Sequence, residues 1–141
     1  GDPGLSAYAA SKGGMIALGR SLAVEGQRRG VLTNLLLPYA TTQMTDVDMD
    51  ETYTKVATPE RVAPVLSALV DQACSLNSTL IVTGGGRIRC ASVVEWGTVL
   101  VPEDLGAHEL EELVRRSKAG PPKEFNGATE AFFDFMGERP L

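Results

Sequence analysis

The stretch Ser6-Ala7-Tyr8-Ala9-Ala10-Ser11-Lys12 sets a phenol and an ammonium four residues apart. On a helix that spacing puts both side chains on one face. A phenol, with an ordinary pKa of about 10, is a poor acid–base group at neutral pH, but an adjacent ammonium favours its anion and brings it toward the working range. Such a pair suits proton exchange with an alcohol or carbonyl oxygen. The spacing by itself is a weak signal that chance can supply, so its weight depends on the elements that would position it.

From Ser6 to Arg29 the pattern predicts one long helix, with Ser6 as N-cap and Gly30 just past the end. Met15, Leu18 and Leu22 form its apolar stripe, while Ala9, Ala10, Gly13, Gly14, Ala17 and Gly19 are small. Interior glycines each cost about 1 kcal/mol against alanine, so a packed helix or a ligand is expected to approach the backbone there. Val31 to Leu37, ended by Pro38, reads as a strand buried on both faces of a parallel sheet. Tyr39 to Ala57 is polar and aperiodic, long enough for a lid over a site. Thr58-Pro59-Glu60 starts a helix that carries Val62, Val65, Leu66, Leu69, Val70 and Ala73, with Pro64 dividing its first turn from the rest. Ser78 to Thr83 reads as a second buried strand, stopped by Gly84-Gly85-Gly86. Helix, strand, loop, helix, strand is the order of an α/β fold. Beyond it, Ile88 to Val101 has strand-like patches, Glu103 to Lys118 is an acidic amphipathic helix, Gly120-Pro121-Pro122 a linker, and Gly127 to Met136 a last short helix.

Composition bounds the function. The 141 residues, 43% hydrophobic and 22% charged, suit one globular domain. A net charge of −5 argues against a nucleic-acid partner, because affinity for phosphate backbones comes from clustered Lys and Arg. Cys74 and Cys90 lack the spacing of a metal knuckle or redox pair and read as small buried apolar residues in a reducing compartment; His108, among Glu109, Glu111 and Glu112, reads as a solvated surface histidine, so no metal site is expected. No apolar run approaches the roughly 18 residues of a spanning helix, no basic-then-apolar leader is present, and Glu138-Arg139-Pro140-Leu141 is not an SKL-type address. A cytoplasmic protein without membrane partners is the expectation.

Tyr8-Ala-Ala-Ser-Lys12-Gly-Gly, the long helix, and then Asn34-Leu-Leu-Leu-Pro38 after a buried strand resemble the second half of the short-chain dehydrogenases/reductases, in order and in spacing. The Glu25 to Gly30 helix end and the Thr58 to Ala63 helix start fit the same pattern, and the resemblance covers about residues 6 to 90. It implies a partial Rossmann (doubly wound) fold, the C-terminal half only, over residues 1–90, with a C-terminal extension over 91–141 packing on it or on a partner subunit. Tyr8 would then be the catalytic acid/base, with hydride moving on the other side of the substrate carbon, and Lys12 its tuning and ribose-binding partner; Ser11 is a packing residue. Pro38, Tyr39, Thr41 and Thr42 would stand near the cofactor, Thr42 matching the family threonine best with Thr41 its rival, while Tyr39 replaces the family's usual glycine. Pro38 to Thr45, the Thr58 to Pro64 run, Trp96-Gly97 and Phe132-Phe133-Asp134-Phe135 are similar to the dehydrogenase unit of D-specific multifunctional β-oxidation enzymes, which implies (3R)-hydroxyacyl-CoA as substrate and NAD as cofactor. Gly84-Gly85-Gly86 is not a phosphate loop, because a dinucleotide fingerprint lies between the first strand and first helix of a βαβ unit.

A dinucleotide needs two βαβ halves, with its pyrophosphate on the first helix N-terminus. The resemblance places the glycine-rich loop, the NAD or NADP selector and the substrate-polarising serine before Tyr8, which only seven residues precede. The expectation is therefore a fragment of an NAD(P)-dependent oxidoreductase of secondary alcohols or ketones: its partner is the missing N-terminal half, and alone it binds no cofactor well. An unpaired sheet edge also predicts self-association. The rival expectation is a non-catalytic homo-oligomerisation module, built on the small-residue face of the first helix and the strand after Asn77.

Overall fold

The computed structural model describes residues 2–42 and 50–137. Residues 43–49 of the expected lid, Thr45 among them, and the last four residues lie outside the described set. The chain forms two compact units, Gly1–Ala91 and Ser92–Leu141.

In the first unit, helix α1 spans Ser6–Gln27. Ser6 lies inside it rather than at its cap; Leu5 takes the cap position without a side-chain hydrogen bond. The C-terminal stop is as the glycine predicts. Gly30 adopts φ +69°, its N–H reaches Gln27 O at 3.2 Å, and Val31 N–H reaches Gly26 O at 3.1 Å, the paired bonds of a Schellman motif. The helix packs through its small residues and not through the predicted stripe: Gly19 and Ala23 are buried, whereas Met15, Leu18 and Leu22 are 56%, 58% and 44% exposed. The reason is close approach. A Cβ on Gly19 would stand 2.8 Å from the Leu35 side chain, so only glycine lets the strand come this near. Gly13 and Gly14 have no atom within 4 Å of where a Cβ would stand.

Strand β1 (Leu35–Pro38) pairs in parallel with β2 (Leu80–Gly84), from Leu35↔Leu80 to Pro38↔Thr83. An antiparallel third strand, β3 (Arg87–Ala91), completes the order β1-β2-β3. This strand takes in the start of the strand-like stretch from Ile88 and adds it to the sheet beyond the glycines, and its Cys90 is exposed rather than buried because β3 is an outer strand. Gly85 (φ +58°) and Gly86 (φ +75°) form the two-residue hairpin turn, where both central residues need positive φ. β1 is an edge strand, half-buried rather than buried on both faces; β2 holds the core, with Ile81 and Thr83 only 3% and 2% exposed. Thr83 Oγ1 donates to Arg87 O at 2.9 Å, so its buried hydroxyl is satisfied by the hairpin.

β1 begins four residues later than predicted because side chains replace the ladder at its amino end. Asn77 Oδ1 accepts from Thr33 N–H at 2.9 Å and its Nδ2 donates to Ala23 O at 3.1 Å. Asn34 Oδ1 accepts from Thr79 N–H at 3.1 Å and its Nδ2 donates to Leu76 O at 2.7 Å. Between the strands run a short helix α2 (Glu51–Thr54), capped by Asp50, a 3-10 turn at Pro59–Arg61, and α3 (Ala63–Leu69). The break before Pro64 is the predicted one. α3 ends before Ala73 because Asp71 Oδ1 captures the Ala73 N–H at 2.8 Å in a turn.

The second unit carries α4 (Ala107–Ser117) and α5 (Ala128–Met136). A bridge pairs Glu95 with Lys123, whose ammonium meets Asp134 of α5 at 2.8 Å. Ser117 Oγ donates to Gly97 O at 2.7 Å, and Lys118 lies 5.7 Å from the Trp96 ring centroid.

Candidate active site

Tyr8 and Lys12 stand on the first turns of α1, as their spacing predicts, with Lys12 Nζ 5.5 Å from the Tyr8 ring centroid. Both are exposed, Tyr8 to 57%. Ser11 is not packed: it is exposed, and its Oγ donates back to Tyr8 O at 2.7 Å.

The course of α1 sets where this pair lies on the sheet. Gly19 rests on Leu35 at the start of β1, Ala23 O takes the Asn77 bond, and a Cβ on Gly26 would strike Val31 O. The helix therefore runs back along the strand. Seven residues from Gly19 to Lys12 cover about 10 Å of helix, and three residues from Leu35 to Pro38 cover about 10 Å of strand. Followed in this direction, the first turns of α1, which carry Tyr8 and Lys12, run toward the carboxyl end of β1, the end at which open α/β sheets hold their ligands.

Pro38 closes β1, and Tyr39 continues it as a single rung, its N–H donating to Thr83 O at 2.8 Å while the residue stays 69% exposed. Thr41 N–H donates to Ala57 O at 2.6 Å; Thr42 is exposed. Gly84 of β2 is the neighbour that makes Tyr39 fit, since a Cβ there would meet the Tyr39 carbonyl oxygen and stand 2.7 Å from its Cβ. Sequence reasoning missed Gly84, Asn77 and Thr83 as positioning residues. The partners of Asn77 and Gly84 lie more than 40 positions away, so no local periodicity marks them.

An α/β sheet with parallel β1 and β2 and a long helix packed on it through glycine is a partial Rossmann fold. No family model matches the chain. Among its curated relatives, a short-chain type dehydrogenase/reductase of Mycobacterium tuberculosis is 36% identical over 89 residues, covering 63% of this chain and 31% of its own length. The peroxisomal multifunctional enzyme type 2 of Drosophila melanogaster is 33% identical over 86 residues, 61% of this chain and 14% of that protein. The chain thus spans a third or less of these relatives. Among solved structures, that full-length Drosophila enzyme matches with a TM-score of 0.74 at 23% identity, over 92% of this chain and 24% of the other, a likeness of fold. A short chain dehydrogenase from Mycobacterium avium matches with a TM-score of 0.58 at 27% identity, over 86% and 40%. Among the described residues, no helix is long and apolar enough to cross a membrane.

Proposed function

We propose that the chain supplies the proton-exchanging part of an NAD(P)-dependent oxidoreductase that acts on a secondary alcohol or ketone, with (3R)-hydroxyacyl-CoA as the substrate class. The observation that carries this reading is the exposed Tyr8–Lys12 pair on the first turns of α1. The Tyr8 hydroxyl exchanges the proton with the substrate oxygen, while the Lys12 ammonium holds a ribose hydroxyl. The nicotinamide, when bound, supplies or accepts the hydride. Pro38, Tyr39, Thr41 and Thr42 line its approach from the next strand end. These residues fit the nicotinamide-ribose end of a dinucleotide. They do not fit its pyrophosphate, because the 141 residues contain no G-x-G-x-x-G turn. That cradle must come from other residues, and a complementary nucleotide-binding half is the partner we assign. Residues 91–141 act as an extension of this dehydrogenase unit or of its assembly.

The test is oxidation of a 3-hydroxyacyl-CoA by the natural polypeptide that carries Tyr8, compared with its Tyr8→Phe variant. A fall of about 10²- to 10⁴-fold in kcat is expected. Unchanged turnover in the variant sinks the assignment. A second reading, a homo-oligomerisation module, is favoured by the exposed α1 face of Met15, Leu18 and Leu22, beside the uncovered Gly13 and Gly14. Sedimentation of the chain as a folded monomer at micromolar concentration counts against it.

A further inference from the structure

The first unit also holds an open cleft of about 490 Å³, a volume in the range of small-molecule sites, that the proton chemistry does not use. Tyr39, Tyr53, Val56, Gly84, Arg87 and Arg89 contribute to its walls. Arg87 and Arg89 are two apart on β3, so their side chains leave the same face about 7 Å from each other. Their cross-strand partners, Gly84 and Val82, offer no carboxylate. Among the described residues neither guanidinium is in an ion pair or hydrogen bond. A third guanidinium is near, because Arg61 Nη1 lies 3.9 Å from where a Cβ on Gly86 would stand. In a chain of net charge −5, an uncompensated basic cluster is a local reversal of sign that favours an anion.

The cluster is also held in place. Thr83 Oγ1 grips Arg87 O, and the two-glycine turn sets the β2–β3 register, so the arginines project from a paired strand rather than from a loop. Beside them, Tyr39 and Tyr53 are 69% and 63% exposed, two aromatic faces open to a planar group. Guanidinium forks match phosphate oxygens, and tyrosine rings stack on nucleobases.

We propose that this cleft binds a phosphate-bearing adenosine group, Arg87 and Arg89 holding the phosphates and Tyr53 the base. On the function proposed above, on which this assignment of source rests, the group is the carrier end of the acyl-CoA substrate. The same chemistry is present in NADP, and the experiment separates the two.

The chain is titrated by calorimetry with coenzyme A, dephospho-coenzyme A and NADP, without any turnover assay. Coenzyme A is expected to bind, with Kd raised about tenfold or more in Arg87→Gln and in Arg89→Gln, and raised also by removal of its 3′-phosphate. Arg115→Gln, on α4 in the second unit, is expected to leave Kd unchanged, and Arg87→Lys to lose less than Arg87→Gln. Preference for NADP with the same arginine dependence keeps the adenosine-phosphate site and reassigns its occupant to the cofactor. No binding of either nucleotide at millimolar concentration, or equal loss in Arg115→Gln, overturns the site. Thermal melts of each variant identify any that fail to fold, in which case the dephospho-coenzyme A comparison on the unaltered chain decides. Tyr8→Phe is expected to leave coenzyme A affinity unchanged, so the dehydrogenase reading and the cleft can fail separately.

Discussion

The two ends of the β1–β2 pair are built on opposite principles. At the amino end, Asn34 and Asn77 use both their acceptors and their donors to tie α1, β1 and the approach to β2 together. Toward the carboxyl end, Tyr8, Lys12 and Tyr39 are exposed, and the loop leaves the sheet after a single added rung at Tyr39. Satisfied polar networks rigidify what they join, whereas groups that must meet a ligand have to keep their hydrogen-bonding capacity open. The difference teaches that one end of the pair is locked by its own side chains while the other is left open, with the helix α1 running between them.

Substitutions can break or sharpen this division. The largest expected effect is on rate: Tyr8→Phe in the natural polypeptide lowers kcat by about 10²- to 10⁴-fold while leaving the melting temperature unchanged, because the residue is exposed. A marked drop in melting temperature would show that the open end is structural after all. Gly84→Ala is the exception that sharpens the picture, since it forces a Cβ onto Tyr39 backbone at the open end. It is expected to cost about 3 kcal/mol in urea unfolding. Asn77→Ala leaves the Thr33 N–H and Ala23 carbonyl without their partner and is expected to cost about 2 kcal/mol by the same measurement, with no change in coenzyme A affinity. Gly30→Ala places a Cβ at φ +69° and is expected to cost about 1 kcal/mol.

The smallest effect is a pH dependence. The Asp50 carboxyl, which caps α2, is held below its ordinary value of 3.8 chiefly by the hydrogen bonds it accepts from Thr52. A lowered folded-state pKa means that this cap contributes above the unfolded value and is lost as pH falls below 3.8 through the folded one. An NMR titration of the Asp50 carboxyl with a midpoint at or above 3.8 would contradict this cap.

Much of the fold was legible because it is local. The Tyr8–Lys12 face, the Gly30 stop, the Pro64 break and the apolar centres of β1 and β2 follow from helical period, glycine conformation, proline sterics and short apolar runs. The errors came where packing outranked pattern. Met15, Leu18 and Leu22 have the better hydrophobic spacing, but the glycine-alanine face allows the closer approach, and dispersion rewards it. The strand-like patch from Ile88 was not joined to the sheet because its run is exposed and has no strong apolar signal; β3 belongs to the sheet through hairpin pairing with β2.

By itself, then, the sequence determined the helix that carries Tyr8 and Lys12 on one face and the two parallel strands, because each rests on residues a few positions apart. Only the tertiary structure decided that Asn34 and Asn77 lock one end of the sheet, that Gly84 seats Tyr39, and that Arg87 and Arg89 meet Tyr39 and Tyr53 at one cleft. Those partners are brought together by strand register and close packing, which depend on the whole unit and leave no local mark in the chain.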